Sequence, residues 1–362
     1  MGSARMFFST FMGIALSAAL FYLAFRNVPL RELILYLRQV EIGWIAPSLM
    51  VILGAFFIRA ERLRLIISAS HPLSFSPVYH PLAIGYLANC IVPGRLGEII
   101  LPVLLKKNKK VPLSTGLAAV VAERIFDLIT LLLLFTCVIP LVRLAPSQST
   151  SFAGYELSTG TLHNLAGKMM ILCVLLLLCI NLVTIQATKN WIKGILHRLS
   201  SMSLFASSPH AQSRWRKACH LAETFLDNIA SGFSLLRSAR RLALCVFYSL
   251  AIWGLVIFAN YLLTFGCPRM SGLSYAEISA MTIFIGFFVA LPSAPGFWGV
   301  WEAGGIFALS VFGINTTDAA GYTLLNHVVQ IGTFIVLGVV SALLTEFNWR
   351  NMLVQKSSSH YE

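Results

Sequence analysis

Five ionisable residues stand within or beside hydrophobic stretches, where charge is costly: Arg95, Glu98, Glu123, Arg124 and Asp127. An isolated charge at the bilayer centre costs roughly 2.5–3.5 kcal/mol on insertion scales, so such groups face one another or water and mark functional sites by default. On a helix Glu123 and Asp127 share one face, while Arg124 points about 100° away. This predicts that Arg124 reaches Glu98 and that Arg95 reaches the acidic pair. A polar cavity follows, able to meet a phosphate through the arginines and to tune charge or hold a proton through the acids. Closed on itself, the same cluster is a salt-bridge lock.

A second constellation repeats the first. Pro93-Gly94-Arg95-Leu96-Gly97-Glu98 and Pro295-Gly296-Phe297-Trp298-Gly299, followed by Glu302, share a P-G-x-x-G pattern and then an acid. The next ionisable group lies at a matching distance, Arg124 being 26 residues beyond Glu98 and His327 being 25 beyond Glu302. The candidate site therefore includes Glu302 and His327, with Pro93, Gly94, Gly97, Pro295, Gly296 and Gly299 as the tips that position it. Those glycines suit tight turns and close packing, with backbone contact to a phosphate as the alternative. His327 reads either as a satisfied core histidine or as the counterpart of Arg124. Trp298 and Trp301 read as interface anchors or lid elements.

The elements carrying these residues lie in lipid. Of 362 residues 57% are hydrophobic and only 11% charged, with a mean hydropathy of +0.79; soluble domains carry about a quarter charged residues. Apolar runs of bilayer-spanning length begin near Met6, Glu41, Pro112, Lys168, Leu242 and Ala320. Two further stretches, from Tyr79 and from Ser274, are interrupted by the Pro-Gly motifs, where a helix breaks. The fold class expected is an all-α integral membrane protein with six full spans and two re-entrant helical hairpins. The seven scattered cysteines form no disulfide or CxxC metal framework and read as small core residues.

Charge assigns the orientation. The net +13 reads first as topology and anionic lipid rather than nucleic acid. With both breaks as hairpins, one side receives Arg5, Arg59, Arg62, Arg64, the Lys106–Lys110 cluster, the basic insert and the tail. The other keeps only Arg26, Arg31, Arg38, Arg143 and Arg269. That arrangement puts both termini in the cytoplasm and makes residues 41–142 and 242–345 an inverted repeat within one polytopic domain. Between them, 187–241 is a basic cytoplasmic insert. Trp215, Ala218, Leu221, Ala222, Phe225 and Ile229 recur there at helical spacing, as in an interfacial helix on anionic lipid or a dock for a cytoplasmic lipid-synthesis enzyme.

The two tip motifs, Ala122-Glu123-Arg124-Ile125-Phe126-Asp127, and the run from Leu291 to Glu302 together resemble the flippase-like membrane region of the lysylphosphatidylglycerol synthase family. Two positions depart from that pattern: Ile99-Ile100-Leu101 stands where a basic residue often follows the first tip, and His327 stands in place of a frequent Arg. Nothing in the chain looks like the soluble aminoacyl-transferase module found in some relatives. The resemblance implies translocation of a polar membrane lipid between leaflets of the cell's inner membrane, in envelope-lipid metabolism, without cofactor or metal. The alternatives are a membrane-embedded lipid-modifying transferase, for which no clustered His/Asp pattern is found, and a scaffold acting through 187–241. Walker A, haem and dinucleotide fingerprints are absent.

Overall fold

In hydrocarbon each backbone N–H and C=O must find a partner within the protein, so long Leu, Ile, Val and Phe runs close their own hydrogen bonds as helices. The structure, a computed structural model, describes residues 2–142 and 238–346 together with short pieces between 151 and 215. Within the first block lie α1 (Gly2–Phe25), α2 (Leu30–Arg38), α3 (Ile45–Ile67), α4 (Ser76–Ile91), α5 (Gly97–Lys109) and α6 (Leu113–Val138). The second block holds α7 (Ala239–Phe265), α8 (Tyr275–Val289), α9 (Val300–Val311) and α10 (Thr316–Leu344). A two-residue antiparallel ladder pairs Ser151–Phe152 with Tyr155–Glu156.

The all-helical membrane architecture agrees with the sequence. Among the described residues the segments 42–67, 113–141, 239–265 and 316–344 are each long and apolar enough to cross a bilayer. Helix α1 makes a fifth if it counts with α2, from which it is bent by 81°. Of the span expected at 168–185 the structure describes 168–172 and 174–175, as helix, and most of the insert at 187–241 lies outside the described residues. Helix α2 is an element the hydropathy pattern does not announce.

One boundary needs correction. The second span, expected to close at Ile58 with Arg59, Arg62 and Arg64 as flanking charges, continues as α3 to Ile67. Arg62 is fully buried and Arg59 nearly so. The helix runs on because these arginines find carboxylates inside the bundle, so they count as core residues instead of topology markers.

Both Pro-Gly breaks fold as helical hairpins, α4 against α5 and α8 against α9. Their tips share an unusual backbone: Gly94 and Arg95 sit at φ 80° and 53°, and Gly296 and Phe297 at φ 69° and 63°. Two consecutive left-handed residues reverse the chain tightly, and the non-glycine member of each pair costs roughly 1–2 kcal/mol. The last glycine of each motif lies hard against a backbone. A Cβ on Gly97 would stand 1.9 Å from the Gly85 carbonyl oxygen, and one on Gly299 would stand 2.1 Å from that of Ser17.

The two four-helix sets, α3–α6 and α7–α10, pack alike. Helix α3 touches α4 as α7 touches α8, α5 touches α6 as α9 touches α10, and α4 lies on α10 as α8 lies on α6. At the centre α3 and α7 run antiparallel. The Glu41 N–H donates to the Gly266 carbonyl at 2.9 Å, the Ser48 hydroxyl to the Ala259 carbonyl at 3.0 Å, and Arg62 to Ser249 Oγ at 2.8 Å. Since each hairpin follows the C-terminal end of its own central helix, the two hairpins start from opposite ends of the bundle.

Gly97→Ala drives a methyl into the Gly85 carbonyl, and overpacking of this kind costs about 1–3 kcal/mol. A lowered unfolding temperature in detergent is expected for it, and none for Gly254→Ala, whose Cβ meets nothing within 4 Å. Equal unfolding temperatures would show that the first hairpin is not closed on α4 as described.

Candidate functional site

The first cluster is built on the middle of α6. Glu123 and Asp127, one turn apart, turn the same way, as their spacing predicts. The cation they receive is not Arg95 but Arg62 of α3, whose guanidinium lies 3.3 Å from Glu123 Oε1 and 2.9 Å from Asp127 Oδ1. Arg59, one turn earlier, stands 3.3 Å from the other Asp127 oxygen and against the Tyr86 ring. Arg124, on its own side of the helix, meets Glu98 at 3.6 Å as expected and also Asp127 at 3.6 Å. Three arginines thus balance three carboxylates.

Missing Arg59 and Arg62 has an instructive cause. Their spacing of three residues puts both on one helix face, a signal present in the chain but masked by their position at the end of an apolar run.

Arg95 does something else. Its guanidinium donates to the Val289 carbonyl, and to that of Leu291 at 3.3 Å. Val289 is the last residue of α8 and Leu291 lies two residues beyond it, at the end where a helix leaves acceptors unpaired and a cation is favoured. The guanidinium also lies over the Phe297 ring, 5.6 Å from its centroid. The first tip therefore touches the second, as opposed hairpins require.

At the second tip Glu302 occupies the first turn of α9 and accepts the Gly299 N–H at 2.7 Å, as Glu98 occupies the first turn of α5. His327 of α10 lies with Nδ1 2.6 Å from Glu302 Oε1 and Nε2 2.8 Å from the Gly296 carbonyl oxygen. Trp301 stacks on the imidazole at 4.7 Å, and Trp298 lies 4.6 Å away. The two acid–base pairs differ in burial: the Arg124 and Glu98 side chains are 42% and 31% exposed, those of His327 and Glu302 1% and 0%. The hairpin tips and all seven charged or ionisable candidates thus gather around the contact between the hairpins. In two groups, Glu98, Glu123, Arg124 and Asp127 face α3 and the first hairpin, while Glu302 and His327 hold the second.

Between the first hairpin and α6, a cleft of about 20 Å³ is lined by Tyr86, Asn89, Gly97, Glu98, Glu123 and Arg124. That volume admits about one water molecule. A larger polar bowl of about 650 Å³ lies at the end of the bundle near Glu32, Arg269 and Asp318, outside the sequence-derived site. Among the described residues no three His, Cys, Asp or Glu side chains gather to hold a metal.

Long apolar helices, broken hairpins and charges paired within the bundle define a multi-pass membrane protein. The chain belongs to the family described as lysylphosphatidylglycerol synthase TM region, whose model matches residues 10–338, which ties it to lipid metabolism. Comparison with curated proteins and with solved structures gives no match.

Removing one partner of a buried ion pair while leaving the other costs about 3–5 kcal/mol. Arg62→Met should therefore lower the unfolding temperature in detergent far more than Arg124→Met, whose site is half open. Adding Glu123→Gln to Arg62→Met, which rebalances the charges and leaves Asp127 to Arg59 and Arg124, should restore part of the loss. Equal effects of the two single substitutions would refute the central place given to Arg62.

Proposed function

We propose that this protein translocates a polar or anionic lipid across the cytoplasmic membrane, in the manner of a flippase or scramblase, as part of envelope-lipid metabolism. The observation that carries the reading is Arg95. Of the four arginines around the tips it alone lacks a carboxylate within ion-pair distance among the described residues. It is held at a strained backbone angle on two carbonyl oxygens, a combination that favours a functional assignment. A phosphate offers the same guanidinium charged acceptors in bidentate geometry, so it can displace the carbonyls.

The reading includes an inverted repeat of about 41–142 and about 242–345. It is supported by the antiparallel central helices, the matched packing of the two sets and the shared tip conformation. Opposed broken helices meeting inside a bundle are the usual frame of secondary transporters. Both termini are cytoplasmic in this reading, the insert at 187–241 rests on anionic lipid or docks a cytoplasmic lipid-synthesis enzyme, and the protein is a carrier and not an enzyme. Because the cleft beside Arg124 admits only about one water, the headgroup passes when the hairpins separate.

Liposomes carrying the purified chain and a labelled anionic or zwitterionic phospholipid, read with a leaflet-selective quencher, test this directly. Wild type should exchange label between leaflets, and Arg95→Ala should slow exchange by about tenfold or more, the worth of one charge-assisted contact. Rates equal to those of empty liposomes for every headgroup would overturn the proposal. For the topology, cysteines replacing the exposed Lys107 and Ser271 in a cysteine-free chain should react with an impermeant thiol reagent from opposite sides of the membrane. Labelling from one side would overturn the opposed entry of the hairpins.

A further inference from the structure

The Glu302–His327 contact differs from its counterpart, Glu98–Arg124, in a way that bears on what drives lipid movement. Gly296 presents a carbonyl oxygen to Nε2 at 2.8 Å, and a carbonyl can only accept, so Nε2 carries a hydrogen. Nδ1 and Glu302 Oε1 are 2.6 Å apart, a distance at which a single proton must lie between them, since two lone pairs would repel. The other Glu302 oxygen is already committed to the Gly299 N–H. The pair therefore holds one exchangeable proton. With it the site is net neutral; without it a carboxylate remains uncompensated among apolar side chains, which is costly.

The surroundings favour the protonated form as a clasp. Trp301 lies parallel to the imidazole, within 6°, where an indole face attracts a cation. The clasp joins three segments, α9 through Glu302, the second tip through Gly296, and α10 through His327, so its proton governs whether α9 stays bonded to α10 while Nε2–H holds the tip in either state. Arg124, in the equivalent place, keeps its proton at any physiological pH.

Charged and titratable groups on the neighbouring elements are engaged elsewhere. Arg95 of the first tip is on the α8 carbonyls, and Arg59 and Arg62 of α3 are on Asp127 and Glu123. Glu277 of α8 closes its own capping box, and Tyr322 of α10 donates to the Asn260 carbonyl. Asp318 pairs with Arg269 at the opening turn of α10, where Thr317 also meets Glu32 of α2. Tyr22 of α1, Arg31, Tyr36 and Arg38 of α2, His80, Tyr86 and Cys90 of α4, and Cys245 and Tyr261 of α7 form no hydrogen bond with either member of the pair.

We propose that Glu302 and His327 form a proton-binding site whose occupancy seats the second hairpin on α10 and so couples proton movement to lipid movement. When the Nδ1–H bond breaks, its electron pair stays on the imidazole, the proton passes to water, and α9 is released from α10, leaving the second hairpin on His327 through Nε2–H alone. The proposal rests on the translocation reading above and adds its energy source.

Two readouts on the full chain in phosphatidylglycerol–phosphatidylethanolamine liposomes test it. The first does not depend on transport. A protonated imidazole quenches a stacked indole more strongly than a neutral one, so the emission lost on Trp301→Phe should be smaller in acidic than in alkaline buffer. In His327→Gln that pH dependence should vanish. The second readout imposes a pH gradient, with membrane potential clamped, and follows the leaflet ratio of labelled phosphatidylglycerol. One proton per lipid shifts the ratio by up to about tenfold per pH unit, and His327→Arg should abolish the shift.

Titrating emission together with a gradient-driven ratio that His327→Arg abolishes supports the proposal. A flat emission profile overturns it whether or not lipid moves. So does lipid exchange that ignores the gradient, or a gradient response that survives His327→Arg, and both of these leave the translocation reading intact. Label exchange no faster than in empty liposomes overturns the translocation reading itself, and the coupling with it.

Discussion

The structure turns on one constraint: a helix broken inside a membrane leaves backbone groups that nothing but the protein can satisfy. At the end of α8 the Val289 and Leu291 carbonyls are such groups, and the Arg95 guanidinium from the opposite hairpin satisfies them. At the starts of α5 and α9 the unpaired groups are N–H donors, and each has a glutamate in its first turn. Acids at helix starts and a cation at a helix end follow the sign of the helix dipole. The charges are therefore placed where breaking the helices creates demand for them, and the breaks are what bring the hairpins together.

This explains which parts of the site are legible in the chain. The tip motifs carry their conformation locally, because Pro-Gly followed by a second left-handed residue dictates a reversal wherever it stands. The Glu98–Arg124 contact is legible too, since a hairpin followed by a long antiparallel helix brings its tip alongside that helix after a fixed number of residues. The partner of Glu123 and Asp127 is not. It sits 61 residues upstream of Glu123, on a helix whose approach to α6 depends on the whole bundle. Counting flanking arginines for topology assigns Arg59 and Arg62 to water because it has no means of knowing that α3 will find acids beside it. Arg95 is placed wrongly for a related reason: its partner is backbone, and carbonyls at a helix end leave no mark in a residue pattern.

Burial separates the two acid–base pairs into different roles. Glu98 and Arg124 are part of a six-member network with balanced charge, tied on one side to α3 through Arg59 and Arg62. Such a network resists change, because moving any one member strands a charge that the others compensate. Glu302 and His327 form a closed pair with no third charge, so a single proton decides whether the pair is complete. On the proposed coupling, the first half of the bundle is the fixed block and the second carries the part able to release.

Arg95 stands across that division. It belongs to the first hairpin yet binds the second, and its acceptors are neutral carbonyls instead of carboxylates. In the proposed translocation a headgroup phosphate competes for it on favourable terms, since charge-assisted hydrogen bonds are about twice as strong as neutral ones. Taking Arg95 from the α8 carbonyls leaves those carbonyls unpaired, a cost that falls once the tip moves far enough for water or headgroup donors to replace the guanidinium. In that reading, binding a phosphate at Arg95 and releasing Glu302 from His327 act on the same hairpin in the same direction. On the proposed coupling neither alone removes both contacts that seat it, so a phosphate must bind and the proton must depart before the hairpin can leave.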